Sequence, residues 1–124
     1  MPGKLKSLDE LTAIAAAARQ QGKTVVFTNG CFDILHRGHV HILRQAKAAG
    51  DLLIVALNSD RSVREIKGDK RPVLAETDRV ELIGALEMVD YVVVFDEPSR
   101  VLMKAVLGTL TNFSINDLNF YNYT

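Results

Sequence analysis

The residues best suited to chemistry stand in one short segment, TNGCFDILHRG at positions 28–38, followed by His39. His36 and His39 are three residues apart, so at the start of a helix their imidazoles share one face. Gly38 between them carries no side chain that would block a phosphate, and Gly30 lets the backbone approach a ligand closely. The N–H groups of a first helical turn bind anions. Together these features predict a site for a polyphosphate.

Other roles for these side chains are open. Cys31, His36, His39 and His41 could be combined into a metal site, but their spacing matches no common zinc pattern, and His41 should point away from the other two histidines. The two histidines could also be structural, although a pair that flanks a glycine at a strand-to-helix turn favours a ligand. Cys31 as a nucleophile would need a base and a lowered pKa, so a small residue that packs the turn is the favoured interpretation.

A second polar stretch, residues 61–71, holds five basic residues and two acidic ones. The whole chain has 15 Lys and Arg against 15 Asp and Glu, so this local excess does not follow from composition. One interpretation is a solvated helix face. The other is a mobile flap that closes on phosphates and excludes water, for which Lys67, Gly68 and Arg71 are the best candidates.

Hydrophobic patterning predicts the elements that position these residues. Ser7 followed by Glu10 is a capping-box start for a first helix. Buried strands are predicted at 24–28, 52–57 and 91–95. Helices are predicted at 7–21, 39–49, 76–88 (capped near Thr77) and 98–107, with one short helical turn at 62–66.

Apolar strands that alternate with helices indicate βαβ units, in which a parallel sheet is covered on both faces. The predicted fold class is therefore α/β: a Rossmann-like, doubly wound parallel sheet in a three-layer α/β/α arrangement, with right-handed crossovers. In such sheets ligands bind at the carboxyl ends of the strands, and the segment at positions 28–38 lies at that edge.

Length and composition exclude several classes of protein. The 124 residues suffice for one domain, and zero net charge argues against a protein that binds nucleic acid or a membrane surface through bulk electrostatics. A single cysteine excludes an internal disulfide framework and fits a reducing compartment. No apolar run approaches the roughly 18 residues of a membrane span, and the N-terminus lacks the apolar stretch of a signal peptide. We therefore expect a cytoplasmic protein.

Three stretches of the sequence resemble one known family. VVFTNGCFDILHRGHVHIL carries the His-x-Gly-His signature of the cytidylyltransferase-like nucleotidyltransferase superfamily, and AAGDLLIVALNSDRSVREIKGDKRPV and DRVELIGALEMVDYVVVFDE follow it. Together, over about positions 6–98, they are most similar to the heptose 1-phosphate adenylyltransferases. This resemblance implies transfer of an adenylyl group from ATP to a sugar 1-phosphate, with Mg²⁺ as the divalent cation and release of pyrophosphate. The family also implies a homodimer.

The resemblance, together with the chemistry of the two polar stretches, gives expected roles for individual residues as well. His36 and His39 would contact the triphosphate, and with Lys67 they are the expected catalytic residues. The expected nucleotide-binding residues are Asn29, Gly30, Cys31, Phe32, Asp33, Gly38 and Arg79. The residues expected to bind the sugar phosphate are Asp60, Gly68 and Arg71. Arg79 could instead pair with Glu76 or Asp78 at the surface, and Asp60 could order its loop. No metal ligand from the protein is expected.

The last 16 residues, TLTNFSINDLNFYNYT, differ in composition from the rest of the chain. They hold four of the six asparagines and no Lys, Arg, Ala or Gly. We therefore expect a nucleotidyltransferase domain at 1–108 and an atypical tail at 109–124, in which the βα pattern does not continue. The strand and the serine/threonine-rich turn that follow in the family are not recognisable here. Their absence predicts an open sheet edge unless the tail or a second copy covers it.

Two other functions are open at this point. One is cytidylyl transfer to an alcohol phosphate such as glycerol 3-phosphate, although the NSDRSV and KGDKRPV motifs favour the heptose branch. The other is a truncated, catalytically weak domain that binds nucleotide, since the His-x-Gly-His half of the site is present.

Overall fold

The computed structural model describes residues 3–96 and 113–115, and within them four parallel strands form one sheet. The strands are β1 (Val25–Gly30), β2 (Leu52–Asn58), β3 (Tyr91–Phe95) and β4 (Phe113–Ile115), in the order β3-β2-β1-β4. The helices are α1 (Leu8–Gln20), α2 (Arg37–Ala48), α3 (Asp60–Lys67) and α4 (Glu76–Gly84). The predicted α/β class and parallel sheet are confirmed. The helix predicted at 98–107 lies outside the described residues.

Helices cover both faces of the sheet, because successive side chains of each strand point to opposite faces. On one face, Leu11, Ala15 and Ala18 of α1 pack against Val25 and Phe27 of β1. The other face is covered by α2 and α4, whose buried residues Ile42, Leu43, Ala46, Val80 and Ile83 pack against Val26, Leu53, Val55, Leu57 and Val92. This explains why the strands are apolar throughout, and it confirms the three-layer α/β/α arrangement.

Side chains next to α1 and α3 determine where these helices begin. Ser7 Oγ accepts a hydrogen bond from Glu10 N at 3.2 Å and Ser7 N donates to Glu10 Oε1 at 3.0 Å, so the predicted capping box is confirmed. Ser59 caps α3 in the same way, because its Oγ accepts from Ser62 N at 3.2 Å. With this cap α3 extends over 8 residues, more than the single turn that the sequence predicts.

The helix α4 is shorter than predicted. It begins after Ala75, which makes no side-chain capping bond, so the predicted cap near Thr77 is wrong. It ends at Gly84 and not at Met88, because the chain tightens beyond that point: Leu86 N donates to Ile83 O, and Val89 N donates to Leu86 O, both at 3.2 Å.

Strands β1 and β3 each have a backbone neighbour on the side that faces away from β2. The strand β4 pairs with β1 from Val25↔Phe113 to Phe27↔Ile115, so the expectation that the βα pattern stops before the tail is wrong at these residues. Three residues of the tail thus pair with the side of β1 that the sequence left open. Beside β3, Val92 N donates to Lys4 O and Lys6 N donates to Val92 O, both at 2.9 Å. Among the described residues, no helix has both the length and the apolar character needed to cross a membrane.

Candidate active site

The segment singled out by its chemistry lies at the carboxyl end of β1. Asn29 and Gly30 belong to the strand itself, where they pair with Ala56 and Leu57 of β2, so β1 is longer than predicted. Residues 31–36 form the turn that leads into α2. Since β1 has β2 on one side and β4 on the other, this turn lies where the strand order reverses. Crevices at such reversal points bind ligands in open α/β sheets.

The two histidines cap the start of α2 and each other. His36 is the N-cap, and its Nδ1 accepts a hydrogen bond from Gly38 N at 3.0 Å. His39 Nδ1 in turn accepts from His36 N at 3.2 Å, and the two ring centroids are 4.0 Å apart. Because Nδ1 is the acceptor in both rings, a neutral imidazole at either position carries its proton on Nε2. Nε2 is therefore the donor atom of both rings, and the ring of His39 is fully buried.

The amide groups of the first helical turn are engaged within the motif. Gly38 N donates to His36 Nδ1, whereas His39 N and Val40 N donate to His36 O at 3.0 and 3.3 Å. The expectation that free N–H groups of this turn form the anion site is therefore wrong for these three amides.

Phe32 and Cys31 pack the turn before α2. Phe32 has a φ of +48°, in the left-handed region of backbone conformation that residues other than glycine seldom adopt. This conformation places its buried ring 5.3 Å from the ring of His39, between centroids. Cys31 is fully buried, with Sγ 3.7 Å from Asn58 Oδ1. Burial raises the pKa of the Cys31 thiol despite the nearby charges of Lys67 and Arg79, which favours the turn-packing role over a nucleophile.

Arg79 joins the ends of β1 and β2 to the segments that follow β2. Its side chain is fully buried, and Nη1 donates to Cys31 O at 2.9 Å and to Asn58 O at 2.7 Å. Nε donates to Leu74 O at 3.0 Å, and Nη2 donates to Asp60 Oδ1 at 2.8 Å. Four of the five guanidinium donors are thus bonded within the protein. The alternative of a surface pair with Glu76 or Asp78 is wrong.

Asp60 orders the start of α3. Besides the ion pair with Arg79, its backbone N–H donates to Glu76 Oε1 at 3.0 Å, which links the first turns of α3 and α4. These contacts favour the loop-ordering interpretation of Asp60 over direct contact with the sugar phosphate.

Asp33 connects the turn before α2 to the loop between α3 and α4. Its carboxylate is fully buried and accepts hydrogen bonds from Arg71 Nη1 at 2.8 Å, Val73 N at 2.7 Å and Leu74 N at 3.1 Å. Burial by itself raises the pKa of Asp33, but the hydrogen bonds from Arg71 and the two amides outweigh it and hold the pKa below its ordinary value. The loop that the sequence suggested as a mobile flap is therefore anchored at residues 71–74.

The remaining predicted residues border the same edge. Lys67 is the last residue of α3, and its charge is close enough to Cys31 to act on the pKa of that thiol. Gly68 follows with a φ of +99°, which ends the helix and starts the anchored loop. Among the described residues, no group of three or more His, Cys, Asp and Glu side chains is arranged to hold a metal ion.

Sequence reasoning missed two polar residues at this edge. Asn58 is buried at the end of β2, where its carbonyl oxygen accepts from Arg79. Asp96, directly after β3, accepts a hydrogen bond from Ser59 Oγ. Their position after the last residues of two buried strands was a signal that could have identified them, because the carboxyl ends of parallel strands share one edge.

Comparison with known proteins gives consistent results. The cytidylyltransferase-like family model matches residues 27–105. The chain is 56% identical over 94 residues to bifunctional protein HldE of Geobacter sulfurreducens, covering 76% of this chain and 19% of that protein. It is 60% identical over 94 residues to bifunctional protein HldE of Campylobacter fetus, covering 76% and 20%. The chain thus spans about a fifth of the length of the curated relatives it matches.

A solved structure agrees with this result. The lipopolysaccharide core biosynthesis protein of Thermoplasma volcanium superimposes with a TM-score of 0.60 at 32% identity, over 68% of this chain and 69% of that one. The family model covers the His-x-Gly-His turn, the anchored loop and β3 together. By this match and by its fold, the chain belongs to the cytidylyltransferase-like family.

Proposed function

We propose that this chain transfers an adenylyl group from ATP to heptose 1-phosphate, which gives ADP-heptose and pyrophosphate. The observation that carries the proposal is the pair of mutually capped imidazoles, 4.0 Å apart, at the carboxyl end of β1. The identity of 56–60% with bifunctional HldE proteins supports the heptose substrate. The alternative of cytidylyl transfer to an alcohol phosphate has no comparable support.

The reaction asks for positioning and charge stabilisation more than for proton transfer. An oxygen of the sugar phosphate attacks the α-phosphorus of ATP, and the bond from that phosphorus to the α,β-bridging oxygen breaks as pyrophosphate leaves. A phosphate monoester has its second pKa at about 6, so the nucleophile is already anionic at neutral pH. A strong general base is therefore unnecessary. The protein must hold two polyanions in line and stabilise the charge on the leaving group.

The residues of the site divide between these tasks. The Nε2–H groups of His36 and His39 donate to the triphosphate, and Lys67 adds a positive charge at the same edge. Asn29, Gly30, Cys31, Phe32 and Gly38 form the strand end and turn against which the nucleotide lies. Arg79 and Asp60, which are bonded to each other at 2.8 Å, hold the strand ends in place and do not contact substrate.

The donor set of the described residues does not fit a metal ion held by the protein. Asp33 and Asp60 are the carboxylates that the hydrogen bonds connect to the turn before α2. Each of them is paired with an arginine. Members of this family that act on ATP use a divalent cation. We propose Mg²⁺ that enters with ATP on its phosphate oxygens, the mode in which Mg²⁺ is commonly bound.

The test is pyrophosphate release by the purified chain with heptose 1-phosphate or glycerol 3-phosphate, and ATP or CTP. We expect release with ATP and heptose 1-phosphate, and a loss on the order of 10²–10³ in rate for His36→Ala, because one donor to the developing charge is removed. His41→Ala is the matched control, since His41 is an exposed histidine of the same helix.

Three outcomes would contradict the proposal. Release only with CTP and glycerol 3-phosphate would favour the cytidylyl alternative. Nucleotide binding by a folded chain without release would favour the catalytically weak domain. A His36→Ala variant within threefold of the wild type would remove the role assigned to the imidazole. A cytoplasmic location and a homodimer remain predictions, as does the division at position 108.

A further inference from the structure

The loop between α3 and α4 is bound to the His-x-Gly-His turn through one carboxylate. Asp33 accepts from Arg71 Nη1 through Oδ2, and from Val73 N and Leu74 N through Oδ1. These partners lie 38 to 41 residues further along the chain. With three hydrogen bonds and no exposed surface, the Asp33 carboxylate has no face left for substrate.

Arg71 differs from Asp33 in having unused donors. Its side chain is 37% exposed, and among the described residues only Nη1 of its guanidinium is engaged, by Asp33. Four of its five N–H donors are therefore available to an anion. A guanidinium anchored at one nitrogen presents its other donors as a planar fork, which suits the two-point recognition of a phosphate. Lys67, the last residue of α3, and Lys70, in the same loop as Arg71, add positive charge.

We propose that Asp33 is a positioning residue that acts through Arg71. Its carboxylate holds the Arg71 guanidinium next to the histidine turn, where Arg71 binds a phosphate group of the substrates. This inference rests on the proposed function, because it assigns Arg71 to that same site. The sequence predicts that Asp33 contacts the nucleotide directly, whereas in this proposal Asp33 acts on the substrate only through Arg71. This inference also replaces a closing flap by an arginine that is in place before the substrate arrives.

The test compares wild type, Asp33→Asn, Arg71→Gln and the double variant for binding of inorganic pyrophosphate by calorimetry. Asn at position 33 keeps an oxygen for the two amides but loses the charge that pairs with Arg71. We expect Asp33→Asn and Arg71→Gln each to raise Kd about tenfold, the change that corresponds to about 1.4 kcal/mol. The double variant should bind like Arg71→Gln alone, because Asp33 acts through Arg71.

Arg61→Gln is the matched control, since Arg61 is 66% exposed and its only ion pair among the described residues is a 3.7 Å contact with Glu65. It should change Kd by no more than about twofold. Thermal unfolding of each variant separates the loss of pyrophosphate binding from general destabilisation. If the variants were only destabilised, the increases in Kd of the two single variants would multiply in the double variant. If Asp33→Asn does not fold, Arg71→Lys replaces it: we expect a Kd between those of wild type and Arg71→Gln, because Lys keeps the charge but not the planar fork.

Multiplied losses in the double variant, wild-type binding by Arg71→Gln, or no pyrophosphate binding by the wild type would each overturn the proposal. For the replacement variant, an Arg71→Lys chain that binds like Arg71→Gln or like wild type would do the same. A wild type that binds pyrophosphate with the expected coupling, but releases none from ATP and heptose 1-phosphate, would contradict the proposed function alone.

Discussion

At the scale of single residues, hydrogen bonding separates side chains of the same type into different roles. Arg79 is fully buried and uses four of its five donors within the protein, whereas Arg71 is 37% exposed and uses one. A buried guanidinium with four of its five donors already bonded holds backbone segments together. One that is bonded at a single nitrogen can bind an anion. The same distinction applies within each histidine, where Nδ1 caps the helix and Nε2 carries the donor.

This division of labour within His36 leads to a prediction. Asn is a good N-cap residue, so His36→Asn should keep the hydrogen bond to Gly38 N and change the free energy of unfolding by no more than about 0.5 kcal/mol. The Asn side chain lacks the Nε2–H group of histidine, so the rate of pyrophosphate release should fall by a factor on the order of 10²–10³. Chemical denaturation and steady-state kinetics on the same preparation check both parts.

The comparison with His36→Ala gives this prediction its control. Ala removes both the helix cap and the Nε2–H donor. The His36→Ala variant should therefore lose about 1 kcal/mol of stability and also show the reduced rate of pyrophosphate release. An Asn variant that is as active as wild type would show that helix capping is the whole contribution of His36.

At the scale of elements, a few charged side chains connect segments that are distant in the chain. Arg79 bonds to residues 31, 58, 60 and 74, which belong to the turn after β1, the end of β2, the start of α3 and the loop before α4. Asp33 connects the turn to the same loop a second time. The carboxyl edge of the sheet is thus held by ionic and hydrogen-bonded contacts, in addition to the apolar packing on each face.

Replacing the guanidinium of Arg79 should loosen this edge. Arg79→Lys keeps the charge opposite Asp60 but cannot reach all four acceptors from a single nitrogen, so buried carbonyl groups are left without donors. We expect a loss of about 3 kcal/mol in the free energy of unfolding, measured by urea denaturation. The control is Arg64→Lys on the exposed side of α3. This substitution should change the free energy of unfolding by no more than about 0.5 kcal/mol. Equal stability of the two variants would contradict the role of Arg79.

At the scale of the whole molecule, helices and neighbouring backbone enclose the three longest strands of the sheet. Helices cover both faces, β4 lies beside β1, and residues 4–6 lie beside β3. These neighbours bond to backbone groups of β1 and β3 that would otherwise promote association between sheets. The carboxyl ends of the strands are where the polar and charged residues of the site gather.

The stability of the whole molecule should depend on pH through Asp33. Its pKa in the folded state lies below the ordinary value, so its stabilisation is complete above the unfolded pKa of about 3.9 and is lost as pH falls through the folded pKa. We expect wild type to exceed Asp33→Asn by about 2 kcal/mol above pH of about 5, with the difference shrinking below pH of about 4. Urea denaturation from acid to neutral pH measures it; a difference that stays constant throughout would contradict the assignment.

Several features of this protein were determined by the sequence alone. The strand Tyr91–Phe95 has the predicted bounds, α1 begins at the predicted capping box, and the histidine pair lies at the predicted sheet edge. Each of these rests on residues that are close together in the chain. Periodicity and capping act over three or four positions, so the local order of residue types is enough to predict them.

Only the tertiary structure decided which partners the charged residues have. The pairing of Asp33 with Arg71, the burial of Arg79 and the place of β4 beside β1 all join segments that are distant in the chain. A charged side chain in a sequence has many potential partners, and the topology of the sheet selects among them by bringing strand ends together. This is why the sequence could name candidate residues for the site, while the fold determined which of their hydrogen-bond donors are used within the protein.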